Sequence, residues 1–256
     1  MSASFRPSAS ASSVPASAGP TNGSTGDGHD GIRASDPAAK GRTAPRLDRP
    51  GLLVMDVDST LIDEEVIDQL GLAAGVGEGI AAITRRAMEG GMDFRQALRE
   101  RVALLRGLPV TAFAEVRASV HFTAGALDLI AELHRHGWTV GAVSGGFHEV
   151  VDDLAADARL DHWLANRLEA VDGRLTGRVL GDIVTKDVKL AALRRWADED
   201  GIPMGQTVAV GDGANDIPMI GAAGLGVAFC AKKAVREAAH HAIDERDLRR
   251  VLDFLD

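Results

Sequence analysis

The sequence predicts an α/β fold: a parallel sheet core covered by helices, with a helical cap inserted after the first strand and one small β-hairpin. Three observations carry this prediction. Short apolar runs without alternation recur along the chain, as strands buried on both faces require. Amphipathic helical patterns separate those runs. One long stretch, residues 62–122, reads as several helices with no strand between them.

Taken in order, residues 1–50 are a different material from the rest. They hold six of the nine prolines, are rich in Ser, Ala and Gly, and carry few large apolar residues (Phe5, Val14, Ile32, Leu47). Such a segment cannot bury enough surface to offset its conformational entropy, so a disordered tail is expected. The core then comprises residues 51–61 and 123–256. Leu52–Met55 is the first buried strand, and the same signal returns at Thr139–Val143, Thr207–Val210 and Gly226–Phe229. Within 62–122 the helical patterns are Glu64–Leu70, Gly79–Glu89, Phe94–Arg106 and Thr111–Val120, with Asp93 placed to cap the third. Ala126–His136 ends at Gly137, and Lys189–Asp200 ends at Gly201, each a helix with a glycine stop. Asp172-Gly173 between Leu168–Val171 and Arg174–Val179 signals the hairpin.

Composition excludes several function classes. The formal net charge of −9 argues against nucleic acid as a partner. A single cysteine, Cys230, rules out an intrachain disulfide and a multi-cysteine zinc site. It sits in an apolar run and is expected to be buried and inert. No apolar run approaches the ~18 residues of a membrane span, and no secretory leader is visible, so a cytoplasmic protein is expected. His134, His136, His240 and His241 read as surface residues without a metal role.

The chemistry is concentrated at strand ends. Asp56-Val57-Asp58-Ser59-Thr60 follows the first strand, Ser144-Gly145-Gly146 the second, and Gly211-Asp212-Gly213-Ala214-Asn215-Asp216 the third. Ligands of open α/β sheets bind beyond the carboxyl ends of the strands, so these segments converge if the strands are neighbours. Asp56, Asp58, Asp212 and Asp216 would then crowd one point. A hard divalent cation resolves that crowding, and a small set of oxygen ligands favours Mg²⁺. Ser144 and the amides of its Gly-Gly turn suit a phosphate, and Lys189, or else Lys186, supplies the positive charge.

These motifs, in this order and spacing, resemble the haloacid-dehalogenase (HAD) superfamily of phosphatases across residues 51–256, and in particular its phosphoserine-specific branch. The branch's cap is matched by Asp56–Leu61 followed by Glu65, by Met88-Glu89-Gly90, and by Phe94 with Arg101. Leu164-Ala165-Asn166-Arg167-Leu168 matches the approach to the hairpin.

The resemblance implies a HAD-like Rossmannoid core and an Mg²⁺-dependent enzyme that hydrolyses O-phospho-L-serine, in serine biosynthesis, through an aspartyl-phosphate. It implies Asp56 as nucleophile and Asp58 as acid–base, with a metal site of Asp56, Asp58, Asp212 and Asp216 in which Asp56, the Asp58 carbonyl and Asp212 bind Mg²⁺ and Asp216 orients its waters. Ser144, Gly145, Lys189 and Asn215 would hold the phosphate. Glu65 would meet the substrate ammonium, Arg101 its carboxylate, and Met88 and Phe94 the wall between. Arg101 interrupts an apolar helical face, and a guanidinium fork suits a carboxylate. The partner is a small molecule, with neither nucleic acid nor membrane, and the enzyme is a monomer or homodimer. Two alternatives are weighed: the same chemistry on another phosphorylated metabolite, and a phospho-acceptor signalling module. Asp58, two residues after the nucleophile, favours rapid hydrolysis over the second.

Overall fold

The computed structural model describes residues 44–256. Of the tail expected over 1–50, residues 1–43 lie outside the described residues. Residues 44–50 are held against the α/β body. Leu47 N donates to Asp256 O (2.8 Å), Asp256 N donates to Pro45 O (3.1 Å), and Arg46 N donates to Gln206 Oε1 (3.0 Å). Residues 44–50 are therefore not the free tail expected of them, because Pro45 and Leu47 find partners that local composition does not reveal.

Among the described residues seven strands form one sheet, in the order β4-β3-β2-β1-β5-β6-β7. They are β1 Leu52–Met55, β2 Thr139–Phe147, β3 His162–Val171, β4 Arg174–Leu180, β5 Thr207–Gly211, β6 Leu225–Phe229 and β7 His241–Ile243. All pair in parallel except β3 with β4. That pair is the hairpin expected from Asp-Gly: Asp172 and Gly173 take φ of 50° and 73°, the left-handed pair that a tight two-residue turn demands.

β1 lies at the centre and is buried along its whole length. Its side chains alternate between two apolar layers, Leu53 and Met55 into one, Leu52 and Val54 into the other. The first layer is closed by α5 (Ala126–Arg135) and α6 (His148–Ala158), through Leu129, Leu133, Val150 and Leu154. The second is closed by α7 (Lys186–Glu199), α8 (Ile217–Ala222) and α9 (Lys233–Ala238), through Leu193, Trp196, Ile220 and Val235. Each fully buried Leu or Val on β1 contributes about 1.5–3 kcal/mol, so this short strand is a strong organiser of the fold.

Between β1 and α5 lie four further helices: α1 Val66–Ala73, α2 Gly77–Met88, α3 Phe94–Leu104 and α4 Ala112–Ser119. Asp93 caps α3 through its side chain, which accepts from Gln96 N at 2.8 Å. α6, α8, α9 and β7 have no counterpart among the elements expected from the sequence. One residue is corrected outright. Cys230 is exposed, not buried, because β6 ends at Phe229 and the chain turns at Cys230 with φ of 45°. Among the described residues no helix is long and apolar enough to cross a membrane.

Candidate active site

The order of the strands brings the motifs together. β1 lies between β2 and β5, with Met55 level with Ala142 on one side and Val210 on the other. The next residues along these strands are therefore Asp56, then Val143-Ser144, then Gly211-Asp212. Asp56 extends the ladder by one bond, its N–H donating to Val210 O at 3.0 Å.

Carboxylate oxygens of Asp56, Asp212 and Asp216 all lie within 4.8 Å of one another. Lys189, from the first turn of α7, reaches in from below and is fully buried. Its Nζ stands 2.7 Å from both Asp56 Oδ1 and Asp216 Oδ1. The two neighbouring carboxylates hold the Lys189 ammonium strongly protonated against the opposing pull of its burial. Burial, joined by repulsion from Asp216, pushes both Asp56 and Asp212 up from the usual carboxylate range. Three carboxylates against one ammonium leave a formal excess of about two negative charges, the deficit a divalent cation fills.

Asp58 stands apart from this trio. Its Oδ1 accepts from Val66 N at 2.7 Å and its Oδ2 from Ser144 Oγ at 2.9 Å. Burial raises its pKa, and these two bonds oppose the rise. Such a group can both carry and release a proton. Ser144 itself is completely buried, its Oγ also accepting from Gly146 N at 2.7 Å. Gly146 is required here, since a Cβ would fall 2.8 Å from Asp58 Oδ2.

Above these groups opens a cleft of ≈ 910 Å³ between the sheet edge and α1–α3. Asp56, Asp58, Glu65, Met88, Phe94, Arg101, Gly145, Asp212 and Asn215 all line it. Ser144, Lys189 and Asp216 do not; they are fully buried. Lys186, the other lysine weighed, is exposed on the cleft wall. Burial and the nearby Asp58 carboxylate push Glu65 up to about 7, against a bond from Ser59 Oγ (2.7 Å). A cation placed beside it would pull it back. Arg101 Nε donates to Ala97 O at 3.3 Å, and among the described residues no carboxylate lies within ion-pairing distance of its guanidinium. Burial lowers its pKa, with Asp68 and then Glu65 opposing from a distance. A half-buried, unpaired guanidinium facing a cleft is a ready acceptor of a carboxylate ligand.

The sequence matches the haloacid dehalogenase-like hydrolase family over residues 53–221. The chain belongs to that family. Among curated proteins it is 60% identical over 206 residues to a phosphoserine phosphatase of Streptococcus thermophilus, spanning 80% of this chain and 96% of that protein. A phosphoserine phosphatase of Methanocaldococcus jannaschii is 44% identical over 80% of this chain and 97% of its own length. Among solved structures, a phospho-aspartyl intermediate analogue of phosphoserine phosphatase superposes with a TM-score of 0.77 at 43% identity, covering 81% of this chain and all of that one. A substrate-bound phosphoserine phosphatase complex matches as well, with a TM-score of 0.77 at 42% identity, over 81% of this chain and 99% of that one.

For this member of the haloacid dehalogenase-like hydrolases, the structure gives contacts to two further residues to which the sequence assigned no individual role. Lys232, on the loop after β6, lines the cleft and brings its Nζ to 4.0 Å from Met88 Sδ on α2. Asn166, on β3, bonds the glycine turn from behind. Neither could be singled out by residue type, since surface lysines and strand asparagines are common. The buried Lys189 also yields a prediction. Lys189→Met should lower unfolding free energy by about 3–5 kcal/mol, because it leaves buried carboxylates uncompensated. Urea denaturation in the presence of a chelator measures this, and an unchanged midpoint would contradict it.

Proposed function

We propose that the chain is a phosphoserine phosphatase, hydrolysing O-phospho-L-serine to L-serine and phosphate through an aspartyl-phosphate on Asp56. The observation that carries this reading is one cleft lined both by Asp56, Asp58 and Asp212 and by Glu65 with the unpaired Arg101. The first group suits a phosphoryl centre. The second offers opposite charges to an ammonium and a carboxylate. The phosphoserine phosphatases to which the chain is similar support the same substrate.

The reaction follows from the side chains. Asp56 Oδ1 receives both Val57 N (2.7 Å) and Lys189 Nζ, which leaves Oδ2 to attack phosphorus in line. A bond forms from Oδ2 to phosphorus as the bond to the seryl oxygen breaks, and Asp58 gives that oxygen a proton. Asp58 then takes a proton from water as the water attacks the aspartyl-phosphate, releasing phosphate and restoring Asp56. Gly145 and Asn215 line the cleft where phosphate oxygens would be held, with Ser144 behind them. Glu65 and Arg101 orient the amino-acid end, and Met88 and Phe94 form its wall.

The donor set fits Mg²⁺, being all hard oxygens with a charge deficit of matching size. Asp56, Asp212 and Asp216 would hold the ion together with the Asp58 carbonyl. When bound it would offset charge on the non-bridging phosphoryl oxygens. The reading makes this a cytoplasmic enzyme of serine biosynthesis, a monomer or homodimer, with no nucleic-acid or membrane partner.

A phosphate-release screen over small phosphomonoesters tests the proposal. Phosphoserine should lead, and stripping the protein with EDTA should cut its turnover by ~100-fold or more, with Mg²⁺ restoring it. Full turnover in the stripped protein, or preference for a phosphomonoester lacking the amino-acid end, would contradict the reading.

A further inference from the structure

β2 and β3 lose register at the glycine turn. Val143 pairs with Leu164, and the next pair is Phe147 with Asn166. The step from 143 to 147 on β2 thus answers a step from 164 to 166 on β3, and Ser144-Gly145-Gly146 is pushed out as a bulge. Bulged backbone loses its ladder partners, and its carbonyls need others. Asn166 supplies them. Its Nδ2 donates to Gly145 O at 2.8 Å and to Gly146 O at 3.2 Å, while its Oδ1 accepts from Val184 N at 2.9 Å. Two acceptors at one end and a donor at the other permit a single orientation of the amide. The residue is 1% exposed.

The consequence reaches the acid–base group. The peptide between Gly145 and Gly146 is trans, so a carbonyl pulled toward Asn166 sends the Gly146 N–H the opposite way. That N–H donates to Ser144 Oγ, which in turn donates to Asp58 Oδ2. The same amide also ties this turn to Val184, next to Thr185, which stands at the N-cap of the helix carrying Lys189.

We propose that Asn166 is a positioning residue for the phosphoryl site. By holding the Gly145 and Gly146 carbonyls it aims the turn's amides and the Ser144 hydroxyl, and it fixes the turn relative to the start of α7. This rests on the phosphatase reading of the cleft.

The test uses Asn166→Leu, near in size but without donor or acceptor, and Asn166→Ser should the first not fold. In the folded variant, kcat for phosphoserine should fall ~10–100-fold and the inhibition constant for orthophosphate should rise about tenfold, as for a small misplacement of binding groups. The inhibition constant for L-serine should hold, since Glu65 and Arg101 are untouched. A merely structural role predicts fewer active molecules with both inhibition constants unchanged, and that outcome overturns the proposal. Wild-type kcat overturns it too. Should neither variant fold, the Asn166 side-chain amide resonance of the wild-type protein decides: it should shift on adding orthophosphate with Mg²⁺, and an unmoved resonance overturns the proposal. Failure of the wild-type protein to release phosphate from phosphoserine would instead sink the functional reading, while the orthophosphate titration still tests Asn166.

Discussion

Asp56→Asn should lose kcat on the order of 10⁴-fold or more while unfolding at or above the wild-type temperature. The two halves of this expectation have different causes. An amide is a poor nucleophile, and its nitrogen would replace the one carboxylate oxygen left free by Val57 N and Lys189. Stability moves the other way. Asp56 is buried beside Asp216, whose charge helps push its pKa up, so removing the charge relieves repulsion inside the fold. Lys189 keeps Asp216 as its partner at 2.7 Å. Steady-state phosphate release and a thermal melt, on protein shown by mass spectrometry to be free of deamidation, measure both. Substantial turnover by the intact Asp56→Asn protein would remove Asp56 as nucleophile.

Arg101→Ala should raise KM for phosphoserine on the order of 100-fold, the scale expected when one partner of a desolvated charge pair is truncated. Phosphoethanolamine keeps the ammonium and lacks the carboxylate, so its KM should change by less than about threefold. The contrast between these substrates isolates the guanidinium's contact from any general damage to the cleft. Arg101→Lys should recover little, because an ammonium cannot form the parallel pair of bonds that a guanidinium fork offers. Stability should hold or rise in Arg101→Ala, since the residue holds its half-buried charge with no ion-pair partner among the described residues. Equal losses on both substrates would refute the assignment of Arg101 to the carboxylate.

The parts of the site legible in the sequence share a physical cause. Strands buried on both faces are written as unbroken apolar runs, and acidic or glycine-rich residues directly after such runs stand out against them. That is how Asp56, Asp58, Gly145 and Asp212 could be read from composition and order. Arg101 was legible as the cation breaking the apolar face of α3, beside the buried Ala97, Leu98 and Val102. The buried face of α6, formed by Val150, Val151, Leu154, Ala155 and Ala158, follows a helical period and was open to the same reading. β7 and α9 were not, being three and six residues long, too short for periodicity to register. Cys230 was misjudged because an apolar neighbourhood in sequence says nothing about a chain reversal at φ 45°.

By itself the sequence determined the α/β class, the helical insertion after the first strand, and which carboxylates gather at the strand ends. Those features follow from local pattern: burial sets hydrophobic period, and loops carry the polar residues. Tertiary structure placed Lys189, and not Lys186, beneath Asp56 and Asp216, because one turn of α7 separates a fully buried ammonium from an exposed one. It also decided that Ser144 holds Asp58, that Lys232 reaches Met88 and that Asn166 braces the bulge. Each of these joins segments far apart in the chain, and a contact of that kind is set by strand order and helix docking, which no local pattern encodes.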